Sequence, residues 1–206
     1  MWTETENQIK LILIRHGKTA GNAEHRYIGR TDEPLSSRGI QELQEKKEAG
    51  IFPKIDALWT SPKTRCQMTA RIVYPEQNPK VIPRFTEIDF GDFEGKCYEE
   101  LKEDERYQAW IDSGGTTPFP HGESRETYVD RVQEGFRQVW EEIWKEEHVL
   151  PETIGIIAHG GTIMALLSAY GTKEYFEYQV ENGNGYLVTI TGTRNHFLFQ
   201  EIKKIS

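Results

Sequence analysis

The sequence predicts an α/β fold: a three-layer α/β/α sandwich around a largely parallel sheet. Three observations lead there. Unbroken apolar runs such as "KLILI" (10–14) and "TIGIIA" (153–158) suit strands buried on both faces. Stretches with helical periodicity separate them. Most strand candidates lie too far apart in sequence for hairpins, so crossover connections join them.

The elements follow in order. After the first strand, "RYIGRTDEPLSSRG" is rich in turn formers and reads as a long loop, of a length that is often functional. "SRGIQELQEKKEAG" reads as a helix, with Ser36 or Ser37 as N-cap and Gly50 closing it. "IDALWTS" (55–61) is the second strand. The next helix starts at Ser61-Pro62, Pro62 serving its first turn, and runs to Tyr74. "KVIPRF" is a short third strand. Residues 88–122 are irregular and aromatic, an excursion that covers the substrate, with a short helix over 99–110. Over 123–147, Val129, Val132, Phe136, Val139, Trp140, Ile143 and Trp144 share one helical face. "TIGIIAHGG" is another strand and turn, and "TIMALLSAYG" a short apolar helix closed by Gly171. "GYLVTIT" and "HFLFQEI" form a terminal hairpin. The whole chain, 1–206, reads as one domain.

Composition narrows the function. With 25 basic against 33 acidic residues the net charge is −8, which argues against nucleic-acid and anionic-membrane partners. An anionic substrate would therefore need a local basic pocket. Cys66 and Cys97 stand in no metal-ligand spacing and read as free thiols of a reducing compartment. "MWTETENQIK" has no apolar leader, so a cytoplasmic location is expected. No cofactor is expected. A homodimer is left open.

In open α/β sheets, ligands bind beyond the carboxyl ends of the strands. Arg15-His16-Gly17 ends the first strand, and His159-Gly160-Gly161 ends a later one. Arg65 falls in the first turn of the helix after the second strand, and Glu87 soon follows the third. Singly, each has a plain explanation: a strand-end histidine, a surface arginine, a surface carboxylate. Together they put two histidines and two arginines at one edge, which suits an anion, because the guanidinium fork matches phosphate oxygens. Gly160-Gly161 opens a helix whose free N–H groups favour an oxyanion, and Asn22 offers an amide donor. A metal reading is weaker. There is no H-x-H or H-E-x-x-H, and the arginines would repel a divalent cation.

These residues carry a resemblance. "RHGKTAGN" resembles the R-H-G-E-T-x-x-N signature of the histidine phosphatase superfamily, the phosphoglycerate-mutase-like enzymes, with Lys18 in place of Glu. "PLSSRGIQ", "TSPKTRCQMTA", "EIDFGDFEG" and "AHGG" resemble its later segments in the right order. "FPHGES" resembles P-G-G-E-S, with His121 replacing a Gly. The resemblance implies a phosphoglycerate-mutase-like fold and a phosphohistidine on His16. Arg15, Arg65 and His159 would hold the phosphoryl group, with His159 protonated or donating. Glu87 would be the general acid and base, its pKa raised by the phosphate and by burial, with Asp89, Asp92 and Glu94 as competitors nearby. Gly17, Thr19, Asn22, Gly29, Gly160 and His121 are the further phosphate or substrate contacts it implies. The chain lacks the E-R-H-Y-G segment of the mutases and is similar to the phosphatase branch. "FEYQVENGNG" and the length are similar to α-ribazole-5′-phosphate phosphatases. The substrate would be a small phosphorylated metabolite, with Phe90, Phe93, Tyr98, Tyr107, Trp110 and His121 as candidates to line the leaving-group pocket, at least half of them packing instead against the core. A mutase, or a module that binds phosphorylated ligands without turnover, are the alternatives.

Overall fold

A six-stranded sheet in the order β3-β2-β4-β1-β5-β6 organises the computed structural model, which describes residues 6–145 and 150–206. The first five residues of "MWTETENQIK" and the last two of the helix read over 123–147 lie outside the described residues. The strands are β1 (Asn7–Arg15), β2 (Ala57–Thr60), β3 (Lys80–Val81), β4 (Thr153–Ala158), β5 (Gly185–Gly192) and β6 (Phe197–Ile205). The first four pair in parallel, and the β5–β6 hairpin adds antiparallel at the β1 edge. The sheet is therefore parallel in its β3-to-β1 part only.

β1 explains the layering. Leu11 and Leu13 join one apolar cluster and Ile12 and Ile14 the other, because successive side chains on a strand point to opposite faces. On the first side lie the helices α6 (Arg125–Ile143) and α7 (Gly160–Tyr170); on the second lie α2 (Ser37–Glu48) and α3 (Thr64–Val73). α6 buries Tyr128, Val132, Phe136, Val139, Trp140 and Ile143, while Val129 and Trp144 are only half-buried.

Several boundaries differ from expectation. Ser36 is the N-cap of α2, accepting from Gly39 N. That helix ends at Glu48 with Ala49 as C-cap, and Gly50 follows with a φ of +72°, the left-handed turn that glycine adopts without a Cβ penalty. α3 starts at Thr64, so Pro62 precedes the helix and does not occupy its first turn. "KVIPRF" gives two strand residues and then a 3₁₀ turn, Pro83–Phe85, since Pro83 cannot donate to a ladder. The helix expected over 99–110 is two, α4 (Tyr98–Leu101) and α5 (Glu105–Asp112), broken where Asp104 caps the second. α7 is opened by Gly160-Gly161 and closed by Gly171, as read. The short α1 (Ala20–Ala23) completes the set.

Register places the site. Arg15 pairs with Ala158, and His16 N donates to Ala158 O at 3.0 Å. His16 and His159 thus leave adjacent strands side by side. Ser61 N donates to Ile157 O at 3.0 Å, which brings the end of β2 beside them.

Candidate active site

His16 is 3% exposed and its ring centre lies 5.2 Å from that of His159. Its Nδ1 stands 2.7 Å from Gly17 O. A carbonyl only accepts, so Nδ1 carries the proton and Nε2 keeps its lone pair. Burial, with the Arg65 and Arg15 charges adding to it, holds the His16 pKa well below the ordinary imidazole value. The ring is neutral and of fixed tautomer, its Nε2 lone pair unprotonated. Gly17 N–H is occupied by Thr69 Oγ1 at 3.0 Å, and Thr69 Oγ1 donates to Arg65 O. Gly17 therefore orients the ring through its carbonyl, and its N–H is not available to a phosphate.

Arg65 is 1% exposed. Nη1 donates to Thr31 O (2.8 Å), Nη2 to Ile28 O and Gly29 O (both 3.3 Å), and Nε to His159 Nδ1 (3.3 Å). The long loop after α1 thus wraps the guanidinium with carbonyls, leaving the cation buried with no carboxylate in an ion pair with it among the described residues. Arg15 is looser: Nη1 donates to Val180 O at 2.8 Å, while Nε is buried without an acceptor. Burial lowers its pKa, but an arginine stays charged. The buried Arg65 and half-buried Arg15 guanidinium groups, with Glu87 and Glu181 acting on Arg15 but no carboxylate in an ion pair with either among the described residues, make a site that favours an anion, despite the net negative chain.

Of the two expected states of His159, protonated or donating, the geometry gives the second. Its Nδ1 accepts from Arg65 and its Nε2 lies 2.8 Å from Ser61 Oγ, so the proton sits on Nε2 and is donated to Ser61. Burial, followed by Arg65, pushes its pKa well below the ordinary value. The ring is neutral, because a second buried cation beside Arg65 would cost too much. Cys66 lies 3.6 Å from the same ring, and burial pushes its thiol pKa up to about 12, so it stays protonated.

Glu87 faces this cluster from the segment after Phe85. Its Oε1 accepts from Ile88 N (3.0 Å) and from Tyr128 OH (2.7 Å), and its Oε2 from Gly161 N (3.1 Å). Tyr128 is buried, which raises its pKa well above the phenol value and keeps it a donor. The other acids of the stretch are engaged elsewhere: Asp89 with Arg30, Asp92 with Arg106 and His121, Glu94 with the Gly29 and Thr31 amides. Gly161 N–H serves Glu87 and not an oxyanion. A Cβ on Gly161 would lie 2.2 Å from Glu87 Oε1. Gly161→Ala is accordingly expected to displace the carboxyl and lower kcat by about 10²-fold, the usual cost of a misplacement near 1 Å. Unchanged circular dichroism alongside the p-nitrophenyl phosphate rate checks this.

The remaining candidates separate. Thr19 caps α1 and pairs reciprocally with Asn22. Asn22 Oδ1 also accepts from Asn182 Nδ2 at 3.0 Å. Its carbonyl end is fixed, which leaves the NH₂ end to donate. Gly160 packs against Arg15, a Cβ there lying 3.3 Å from the guanidinium carbon. Two assignments are corrected. Gly29 is not a substrate contact: its N–H binds Glu94 and its carbonyl holds Arg65, and a Cβ would strike Ile88 O at 2.1 Å. His121 is 85% exposed and pairs with Asp92 at 3.1 Å, away from the buried cluster. Lys18 pairs with Glu42.

Above Arg15, Glu87 and Gly160 opens a cleft of about 710 Å³. Tyr27, Phe90, Trp110 and Phe119 line it together with Tyr175 and Phe176. Of the six aromatic candidates, Phe90 and Trp110 line it. Phe93 and Tyr107 pack in the core, while Tyr98 and His121 are exposed. Ser61, Thr69, Tyr128 and Asn182 were not identified in the sequence. Tyr128 had a usable signal, standing four residues before Val132 and eight before Phe136 on the apolar stripe.

The two buried, neutral histidines make stability pH-dependent. The unfolded chain protonates both near pH 6.5 while the folded chain resists, so the unfolded state binds more protons below that pH. Stability is full above pH 6.5 and falls as pH drops below it, by about 1.4 kcal/mol per pH unit for each histidine until its folded pKa is reached. Urea midpoints at pH 7.5 and 5.5 measure this.

Comparison with known proteins adds to the geometry. A family model described as Histidine phosphatase superfamily (branch 1) matches residues 11–203. Phosphoserine phosphatase 1 of Hydrogenobacter thermophilus is 26% identical over 197 residues, covering 92% of this chain and 90% of that protein. The adenosylcobalamin/α-ribazole phosphatase of Escherichia coli is 28% identical, covering 78% of each. The crystal structure of the α-ribazole phosphatase from Shigella flexneri superposes with a TM-score of 0.75 at 26% identity, over 93% of this chain and 95% of that one.

Proposed function

Because the chain belongs to the histidine phosphatase superfamily, we propose that it hydrolyses phosphate monoesters through a phosphohistidine on His16. The observation that carries this is the neutral His16, its Nδ1–H on Gly17 O and its Nε2 free, beside the buried Arg65 and half-buried Arg15 guanidinium groups.

His16 Nε2 attacks phosphorus and the ester P–O bond breaks. Glu87, as the acid, gives its proton to the leaving alkoxide oxygen. Glu87, now a carboxylate, takes a proton from water, whose oxygen attacks phosphorus; the N–P bond breaks and phosphate leaves. Arg15 and Arg65 stabilise charge on the transferring group in both steps, and Asn22 donates to it. Phosphoryl transfer needs little more than such positioning and electrostatics. A mutase would share the first step and differ in returning the phosphoryl group to an alcohol. Release of inorganic phosphate from phosphoglycerate, with no isomer formed, supports hydrolysis.

The cleft bears on the substrate. Its volume exceeds what a serine or glycerate residue fills, and its walls are aromatic. This favours a leaving group with a flat ring, of which α-ribazole 5′-phosphate is one example. A nucleoside 5′-monophosphate is expected to exceed ribose 5-phosphate in kcat/KM by about tenfold or more, since stacking is worth about 1–3 kcal/mol per base. The two differ only in the ring. Equal kcat/KM values would exclude a ring-binding role for the cleft.

A further inference from the structure

No helix or strand includes Glu87, so its position depends on what holds the irregular segment around it. Phe85, fully buried, anchors the segment to the core but does not set the direction of the next residues.

Arg131 of α6 reaches across to it. Nη1 donates to Arg84 O (2.8 Å), Thr86 O (3.1 Å) and Thr86 Oγ1 (3.0 Å), and Nη2 points to Glu87 O (3.4 Å). The same guanidinium makes a two-point pair with Glu123, Nε to Oε1 at 2.9 Å and Nη2 to Oε2 at 2.8 Å. Glu123 holds the far side of the segment: Oε2 accepts from Asp89 N (3.3 Å), and its own N–H donates to Asp89 O (2.9 Å). The guanidinium carbon also lies 4.9 Å from the centre of the Tyr128 ring, whose hydroxyl donates to Glu87 Oε1. Both charged side chains are largely buried, at 26% and 17% exposure.

We infer that the Arg131–Glu123 pair is a positioning device for Glu87, fixing the backbone on both sides of it and the tyrosine that orients its carboxyl. This rests on the acid and base role of Glu87 proposed above. The pair does not line the aromatic cleft. It acts by keeping one carboxyl within reach of the leaving oxygen. Planarity matters, because a lysine at 131 could reach one or two of these acceptors but could not bridge them all.

Leaving-group dependence separates positioning from general support of the fold. An alkoxide needs a proton as it departs, whereas p-nitrophenolate is stable as an anion near neutral pH. kcat/KM reports only the steps through the first P–O cleavage, so the later water attack drops out. Arg131→Met is expected to lower kcat/KM for ribose 5-phosphate by about 10²-fold and for p-nitrophenyl phosphate by less than about threefold. Arg131→Lys should give the same asymmetry at smaller amplitude, and it carries the test if the methionine variant does not fold. Glu87→Gln is the reference and should show the largest asymmetry. Equal losses on both substrates, or no loss, in the Arg131 variants while Glu87→Gln keeps its asymmetry would overturn the inference alone. A Glu87→Gln enzyme without asymmetry would overturn the acid reading, and the inference with it.

Discussion

Replacing His16 by alanine is expected to lower kcat for p-nitrophenyl phosphate by about 10⁴- to 10⁶-fold, the scale on which loss of a covalent nucleophile is felt. Among the described residues, its ring is the buried imidazole whose free nitrogen lies beside both arginines. Without it, the arginines still gather phosphate, so substrate affinity should persist while turnover vanishes. Stopping the wild-type reaction in alkali after addition of radioactive phosphoester should leave label on the protein, acid-labile and base-stable, and His16→Ala should carry none. A variant that kept activity within tenfold of wild type would exclude the phosphohistidine.

Glu87→Gln is expected to have the next largest effect. The amide keeps the size and one carbonyl oxygen for Tyr128 and Ile88, but it neither gives nor takes a proton at neutral pH. Losing general acid and base catalysis costs about 10²- to 10⁴-fold. The loss in kcat/KM should be steep for alkyl phosphates and shallow for p-nitrophenyl phosphate. kcat should fall for both substrates wherever water attack on phosphohistidine limits turnover, because that step depends on the base whatever group has left. Rapid-quench measurement of the first turnover separates the two. A small effect on every substrate and on both steps would point to another acid; yet Asp89, Asp92 and Glu94 are held in pairs with Arg30, Arg106 and the Gly29 amide.

Much of the site was legible because strand ends are legible. An apolar run that stops at Arg-His-Gly, and another that stops at His-Gly-Gly, announce two sheet edges with chemistry on them. Parallel pairing of β1 with β4, in the register Arg15 to Ala158, then makes the two histidines neighbours. The protonation of His159 was less legible, since an imidazole takes its state from its neighbours. Arg65 Nε, from the first turn of α3, on one nitrogen and Ser61, just after β2, on the other leave it neutral. Gly29 was named on the resemblance alone; Glu94, 65 residues later, takes its N–H and Arg65 takes its carbonyl.

The sequence by itself determined the alternating elements, the strand-end nucleophile and the order of the charged residues, because these depend on local periodicity and on which residue types can end a buried strand. Only the tertiary structure decided that Arg65 is wrapped in carbonyls while Arg15 keeps a buried donor without an acceptor, and that Tyr128, Gly161 and Arg131 converge on Glu87. The physical reason is range. A hydrogen bond is made within about 3 Å between groups that lie 74 residues apart for Gly161 and Glu87 and 165 apart for Arg15 and Val180, so its existence is a property of packing and not of any stretch of chain.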